Sequence, residues 1–367
     1  MKAVDRYQLV PGAEIVALAD CKESSTITAN RALIMSGRPE ARTYFGPDAH
    51  RRLMEDKSVD LVYLCTDWAS HAQLAIMAMR SGKHVAIEVP AAMTVSECQT
   101  LIDVSRETER HCTMLENCCY DTFASATRVM AARGLLGDIT HCEGAYIHDL
   151  NSEIASRGGD HKYWMAQETL SQPGNAYPTH SMGPVALLMN LHRGDRMKTL
   201  VSVTSKGQGV RGRVNNTLIT TEFGRTILLQ HDIGTPRPYN RLQTTCGTVG
   251  FTQKYPLPTV QLQGMDTALC GDDALNYTKQ FAEPGVSEWH ADGERKGSPN
   301  VMNHAMDCRL VYCLRNGLPL DIDVFDAAEW SSLIELSGQS VSRGGQPVEC
   351  PDFTQGHWHD LTCHKFY

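Results

Sequence analysis

Short apolar runs alternate with helix-period stretches through the first third of the chain. Ala13 to Asp20 is an apolar run closed by an acid, the pattern of a buried parallel strand with a carboxylate at its C-terminal end. Thr26 to Ser36 follows as a helix. Leu61-Val62-Tyr63-Leu64-Cys65 is a second buried strand, and Thr66-Asp67-Trp68-Ala69-Ser70-His71 a loop and helix start. The helix over 72–81 stops at Gly82, a residue that accepts the left-handed conformation past a helix end. Lys83 to Glu88 reads as a third strand, Val95 to Glu109 as a helix, His111 to Leu115 as a fourth strand and Thr122 to Arg133 as a further helix. Strands alternating with helices of about 10–15 residues predict a doubly wound parallel sheet.

In such sheets the ligand lies beyond the strand C-termini. Asp20, Thr66 to His71, Glu88 and Glu116-Asn117 all fall there. Asp20 is placed to accept hydrogen bonds from an adenosine ribose, as the acid after the second strand does in NAD-binding domains. Alone, it reads as a solvated turn acid. A dinucleotide fold opens with a strand and a Gly-x-Gly-x-x-Gly turn, but the only early glycine here is Gly12. The expectation is a Rossmann-type domain without its first strand and phosphate turn, truncated at its start, with Met1 to Leu9 as the crossover helix.

The rhythm changes after Gly137-Asp138. Ile139 to Leu150, Val201 to Ser205, Asn216 to Phe223, Thr226 to His231 and Gln243 to Cys246 read as strands with few helices between them. Residues 252–300 read as long irregular loops, and helices return at 303–315 and 326–338. This predicts a cofactor domain over 1–137 and an α+β substrate domain over 138–367 with a mostly antiparallel, open sheet.

One loop stands out for its chemistry. Gly174 to Pro184 carries Tyr177, Pro178, Thr179 and His180, and Pro184 reads as the first turn of a buried helix. Phenol, hydroxyl and imidazole all donate and accept hydrogen bonds, which suits a polyhydroxylated ligand, and the imidazole also moves protons near neutral pH. A capped surface loop is the bland alternative. The net charge of −8 gives no basic footprint for nucleic acid. No apolar run approaches a membrane span. The N-terminus lacks a signal-peptide core, so the default compartment is cytoplasmic. The 13 cysteines include no Cys-x-x-Cys pair and read as reduced, mostly buried thiols. His357, His359 and His364 near the C-terminus read as a solvated tail, and no metal site is expected.

The segment Gly82-Lys83-His84-Val85 with Glu88-Val89-Pro90, followed by an open sheet, resembles the NAD(P)-dependent sugar oxidoreductases related to glucose-fructose oxidoreductase. Most of those carry Glu-Lys-Pro where this chain has Val89, which argues against an ordinary dehydrogenase. A fuller resemblance is to glycoside hydrolase family 109, NAD-dependent α-N-acetylgalactosaminidases of the same superfamily. It rests on Glu88 to Val95, Glu116-Asn117-Cys118-Cys119-Tyr120, Gly174-Asn175 with Tyr177 to His180, Asn190 with Arg193-Gly194-Asp195, Thr235 to Tyr239, Cys313 to Asp321, and Pro351 to Thr354. Two segments depart from the family pattern. Met165 follows Tyr163-Trp164 in place of an arginine, and Pro299 to Asn303 replaces a His-Gly-Gly-Met-Asp segment.

The resemblance implies NAD contacts at Asp20, Trp68, Ala69, Ser70, His71, Glu88, Val89, Asn117 and Tyr177. It implies substrate contacts at Tyr146, Tyr177, Pro178, Thr179, His180 and Tyr255. It further implies hydrolysis by oxidation at sugar C3, elimination across C1–C2, addition of water and re-reduction, with NAD ending as it began. His180 suits the O3 proton and Tyr146 the C2 proton, with Glu116 assisting. A phenol titrates near pKa ~10, so Tyr146 must be shifted down or act through a neighbour. Without the resemblance, Tyr146 reads as packing on a face shared with Cys142, Gly144 and His148, Glu116 as a strand-end acid, Arg237 and Tyr239 as turn caps, and His231 and Asp232 as a structural pair. Two rival readings stay open: a sugar or inositol oxidoreductase that turns over free NAD(P), and a non-catalytic sugar-binding relative. A glycan or small sugar is the expected ligand, and a homodimer through the second-domain sheet the expected assembly.

Overall fold

The structure is a computed structural model that describes residues 2–156 and 161–360, with side chains left aside at residues 2, 3, 156 and 161–165. Its first part runs α1 (Lys2–Tyr7), β1 (Ala17–Asp20), α2 (Glu23–Met35), β2 (Arg42–Phe45), α3 (Ala49–Glu55), β3 (Leu61–Leu64), α4 (Trp68–Arg80), β4 (His84–Ile87), α5 (Val95–Thr108) and β5 (Cys112–Met114). All strand pairings here are parallel, but they form two pieces: β1 with β2, and β3-β4-β5. A Rossmann sheet has the order 3-2-1-4-5-6. In that order the two pieces flank the place of strand one, and no strand lies there among the described residues. Helix α1 packs beside that place, with the Tyr7 ring edge-on to Tyr63 of β3 at 5.2 Å.

Two elements here escape the reading of apolar runs. β2 is Arg-Thr-Tyr-Phe with three of its four residues exposed, so it has no apolar signature, and its pairing with β1 makes it a strand. Helix α3 follows it. Helix α4 begins at Trp68 rather than at 72, because the Asp67 carboxylate accepts the Ser70 N–H at 3.0 Å and caps the helix there.

The second part runs α6 (Thr122–Ala132), β6 (Ile139–Ile147), α7 (Asn151–Ser156), α8 (His161–Ser171), α9 (Thr179–Leu188), β7 (Met197–Thr204), β8 (Asn215–Thr221), β9 (Thr226–Asp232), β10 (Asn240–Gly247), β11 (Gly250–Gln253), β12 (Thr259–Leu262), β13 (Leu269–Cys270), α10 (Asp272–Thr278), α11 (Pro284–Arg295), α12 (Val301–Asn316), α13 (Val324–Ser342) and β14 (Val348–Glu349). Nine strands form one sheet in the order β13-β12-β11-β10-β6-β9-β8-β7-β14. β6 and β9 pair in parallel and the other neighbours antiparallel. The stretch 252–300 is therefore largely ordered, containing β12, β13, α10 and α11. Its strands are only two to four residues long, too short to show alternation.

Side chains alternate across this sheet, as the strand period of two requires. Leu200, Ile219, Ile227 and Cys142 form an inward row and are all buried. Val201, Leu218 and Leu228 lie on the opposite face, where Val203 and Leu218 are exposed. Helix α13 ties the two parts together. It packs on α5, β5 and β7 with Trp330 fully buried, and the Ser331 hydroxyl accepts the Ala91 N–H at 3.1 Å. At its N-terminus Arg193 binds Asp326 at 2.6 Å and Asp323 at 3.0 Å, while His192 Nδ1 meets Glu329 at 3.1 Å. No helix among the described residues is long and apolar enough to cross a membrane.

Candidate active site

The loop at 174–184 becomes the start of α9, not a loop followed by a helix at Pro184. The helix opens at Thr179 with Pro178 as its cap residue, and Pro184 lies inside it. A proline there has no N–H for the carbonyl four residues back, which belongs to His180. Two glycines bring α9 against its neighbours. A Cβ on Gly144 of β6 would stand 2.2 Å from the Ser181 carbonyl oxygen, and one on Gly183 would stand 2.6 Å from Glu116 Cγ. These close approaches gather the ends of β5, β6 and α9 around one cluster.

At its centre His180 Nδ1 meets Glu116 Oε1 at 2.8 Å. Glu116 is fully buried, accepts the Cys118 N–H at 3.0 Å, and keeps Oε2 without a partner. Burial works against its charge, but His180 and Arg241 outweigh it and hold the carboxyl below its ordinary range. Aromatic rings wall the pair. Tyr146 stacks on His180 at 5.5 Å, Tyr177 meets His180 edge-on at 4.9 Å, and Trp68 lies flat on Tyr177 at 5.1 Å. The Thr179 hydroxyl is buried and has no partner among the described residues. Buried polar atoms are normally hydrogen-bonded, so the unmatched Glu116 Oε2, beside a ring-flanked His180, marks capacity for a polar ligand.

The expected site residues fall into three groups. Tyr146, Tyr177, His180, Glu116 and Trp68 come together. Thr179 and Pro178 belong to the same helix start, and Asn117 donates from its amide to Asn303 Oδ1 at 2.7 Å. Tyr255 lies further out: it touches Tyr239 at 5.9 Å, which meets His148 at 5.3 Å, which in turn meets Tyr146. Asp20, Ala69, Ser70, His71, Glu88 and Val89 line the strand ends of the first part. His71 acts there as a brace, its ring nitrogens facing the Pro90 carbonyl at 2.7 Å and the Thr66 carbonyl at 3.2 Å. Glu88 is tied to Arg6 at 2.7 Å and accepts the Tyr63 hydroxyl.

Three expectations change. The phenol of Tyr146 is not shifted down. Burial pushes it up to about 12, with Arg241 the chief opposing influence. Glu116 serves His180, not Tyr146; the hydrogen-bonding neighbour of the Tyr146 hydroxyl is His148 Nδ1 at 3.5 Å. His231 and Asp232 do not form a pair, because adjacent strand residues face opposite ways. Asp232 accepts the Gly234 and Thr235 N–H groups, and His231 stacks on Tyr146 at 6.1 Å.

Reading the sequence also missed Arg241, Cys118, His148 and Tyr239 as parts of this cluster. Arg241 Nη1 lies 2.6 Å from Cys118 Sγ, and its guanidinium covers the Tyr146 ring at 5.3 Å. A visible signal was His148, two residues past Tyr146 and so on the same strand face. Glu116, Cys118 and His180 offer a grouping that could hold a metal, but the Arg241 cation on Cys118 Sγ already occupies that side. Met165 lies outside the described side chains, and His364 outside the described residues. Asn300 caps α12 by accepting the Met302 and Asn303 N–H groups.

Residues 5–116 match the NAD-binding Rossmann fold of an oxidoreductase family. An aldose-aldose oxidoreductase from Caulobacter crescentus superposes with a TM-score of 0.71 over 94% of each chain at 18% identity. An inositol dehydrogenase homolog from Azotobacter vinelandii, solved with NAD+, superposes with a TM-score of 0.68 at 17% identity, covering 93% of this chain and 98% of that one. These likenesses define the fold: a Rossmann-type NAD domain joined to an open-sheet domain.

Residues 124–212 and 210–360 match the C-terminal domain of glycosyl hydrolase 109. The alpha-N-acetylgalactosaminidase of Bacteroides fragilis is 46% identical over 98% of this chain and 90% of its own length. Glycosyl hydrolase family 109 protein 2 of Phocaeicola vulgatus is 47% identical over 97% and 92%. The chain belongs to glycosyl hydrolase family 109.

NAD is the cofactor of this domain class, and the residues fit its two ends. Asp20 stands half-exposed at the end of β1, and at the other end Tyr177, stacked on Trp68, meets the His180 that pairs with Glu116, whose Oε2 is unmatched. The glycine turn that cradles the pyrophosphate is not in this sequence.

Proposed function

We propose that this protein is an NAD-using glycosidase that cleaves α-linked N-acetylgalactosamine or a closely related sugar. The observation that carries the reading is the fully buried Glu116 paired with a half-buried His180, walled by Tyr146, Tyr177 and Trp68. The activity of the 46%-identical relative from Bacteroides fragilis supports the choice of sugar. Trp68, Ala69, Ser70, His71, Glu88, Val89, Asn117, Tyr177 and Asp20 would hold NAD, which when bound supplies reversible hydride acceptance at sugar C3.

The chain's own groups then handle protons. Glu116, held ionised, fixes the Nδ1 side of the His180 ring and leaves Nε2 as acceptor for the O3 proton. Tyr146 serves the C2 proton. Its resting phenol is protonated at neutral pH, so it works through a neighbour, and His148 at 3.5 Å receives the phenol proton. Thr179, Pro178 and Tyr255 complete the sugar contacts. The division into a cofactor unit over 1–137 and a substrate unit over 138–367 belongs to the same reading. So does a homodimer through the face carrying Val203 and Leu218, which sedimentation at micromolar concentration would show as twice the chain mass.

Purified protein carrying NAD should release nitrophenol from nitrophenyl α-N-acetylgalactosaminide with no added oxidant or reductant. Net accumulation of NADH with free sugar would replace this reading with that of a dehydrogenase. Tyr146→Phe should keep NAD bound yet stop exchange of the C2 hydrogen into D2O, as followed by mass spectrometry. Unchanged exchange would remove Tyr146 from its role.

A further inference from the structure

Strand β10 departs from its ladder with β6 three times, and two of the shifts, between Asn240 and Leu242 and between Leu242 and Thr244, flank Leu242. Leu242 and Gln243, neither of them glycine, sit consecutively at φ 56° and 54°. A side chain with a Cβ is strained in this left-handed region. Irregularities of this kind, next to active sites, re-aim a side chain. The side chain re-aimed here is Arg241, which lies across from Tyr146.

Arg241 is half-buried, and its surroundings differ from those of the four buried arginines of the described residues. Arg6 binds Asp307, Arg128 binds Glu283, Arg193 binds Asp326 and Arg309 binds Asp321. Arg241 has no carboxylate oxygen within 4.0 Å among the described residues. Its Nε donates to the Tyr239 hydroxyl and its Nη1 to Cys118 Sγ, while its Nη2 has no partner there. Its guanidinium lies 5.3 Å from the Tyr146 ring centre and 5.4 Å from that of Tyr239. A cation drawn into a site by an irregular strand, with no carboxylate bonded directly to it and a donor free, is complementary to an anion that forms there.

We infer that Arg241 is a further catalytic residue of this site, donating through its guanidinium to the sugar oxygen that becomes anionic when C2 loses its proton. The inference rests on the reading that the sugar is oxidised at C3. In the 3-keto sugar the C2–H bond breaks and its electron pair forms the C2=C3 bond. The carbonyl pair moves onto O3, and Arg241 stabilises that enolate oxygen. The proton leaves by way of Tyr146. When the enolate collapses, its electron pair returns to expel the anomeric substituent from C1. The contact with Tyr146 gives the same cation a second task, holding the phenol ring in place.

The test uses the NAD-loaded full chain and exchange of the C2 hydrogen of methyl α-N-acetylgalactosaminide with D2O. Arg241→Met should slow exchange by about 100-fold, with NAD content unchanged and sugar affinity within about threefold of wild type. In Arg241→Ala, added guanidinium at millimolar concentration should restore part of the lost exchange while leaving wild type unaffected, a response that a purely structural role does not produce. Exchange at the wild-type rate in Arg241→Met overturns the inference. So does a loss in Arg241→Ala that guanidinium leaves unmoved, including where Arg241→Met fails to fold. Absence of exchange in the wild type overturns the C3-oxidation reading and the inference with it. Exchange present in the wild type and undiminished in the variant overturns the inference alone.

Discussion

Two histidine–carboxylate clusters among the described residues have opposite character. At the start of α13, His192 faces Asp323, Asp326 and Glu329, with Arg193 bound to two of the same carboxylates. At the start of α9, His180 faces Glu116 alone, with aromatic rings on its flanks and Glu116 Oε2 unmatched. The first cluster crowds three carboxylates against two basic groups and pins the loop after α9 to α13. The second leaves a carboxylate oxygen short of a partner beside a ring-walled imidazole. The difference teaches that a buried ion pair by itself does not mark a functional site, nor does one unmatched atom, since His192 Nε2 also lacks a hydrogen-bond partner among the described residues; an unmatched carboxylate oxygen beside a ring-walled imidazole does.

Exchanging one residue in each cluster should separate the two roles. Glu116→Gln keeps the shape but loses the charge on His180, so turnover should fall by about 10²–10⁴-fold, with little change in the urea midpoint. A wild-type rate would return Glu116 to the structural class. Arg193→Met should do the reverse. Leaving Asp326 buried without its cation should cost about 3–5 kcal/mol of stability, read by urea denaturation, while activity per folded molecule stays near wild type. Lost activity in the fully folded variant would join the two clusters into one.

Smaller effects sharpen the contrast. Gly144→Ala puts a methyl against the Ser181 carbonyl, so β6 and α9 must part. About 1–3 kcal/mol of stability should go, and activity should fall more than Arg193→Met lowers it, because Tyr146 and His180 ride on the two elements that separate. The smallest effect is in pH. Burial lowers the pKa of His192, but Asp326 and the other carboxylates outweigh it and raise the net value above 6.5. A raised histidine contributes stability that is complete below its unfolded value and is lost as pH rises through its folded one. The urea midpoint of wild type should therefore fall as pH rises above about 6.5. His192→Gln should flatten that part of the curve, and an unchanged slope would show that the histidine does not titrate there.

Much of the architecture was legible in the chain because periodicity reports burial. β4 and β5 are short runs buried almost throughout and β3 alternates buried with half-buried residues, and Asp20, Glu88 and Glu116 stood at strand ends by position alone. β2 and the short strands after Gln253 were not legible, since Arg42-Thr43-Tyr44-Phe45 carries no apolar run and takes its form from pairing with β1. The resemblance brought Tyr146, Tyr177 and His180 into one list. It did not show that Glu116 would turn to His180, or that Tyr146 would be pushed up in pKa.

The sequence by itself determined the doubly wound pattern, the open-sheet second half, the family motifs and the loop with Tyr177, Thr179 and His180. Each of these is written in local order, where side-chain period and turn residues act over a few positions. Only the tertiary structure decided which charges meet. Glu116 and His180 are 64 residues apart, Arg241 reaches Cys118 across 123 residues, and Gly144 and Gly183 let those segments approach. Such pairings depend on how packed elements align in space, and a charge is cancelled or left free by neighbours that have no fixed spacing along the chain.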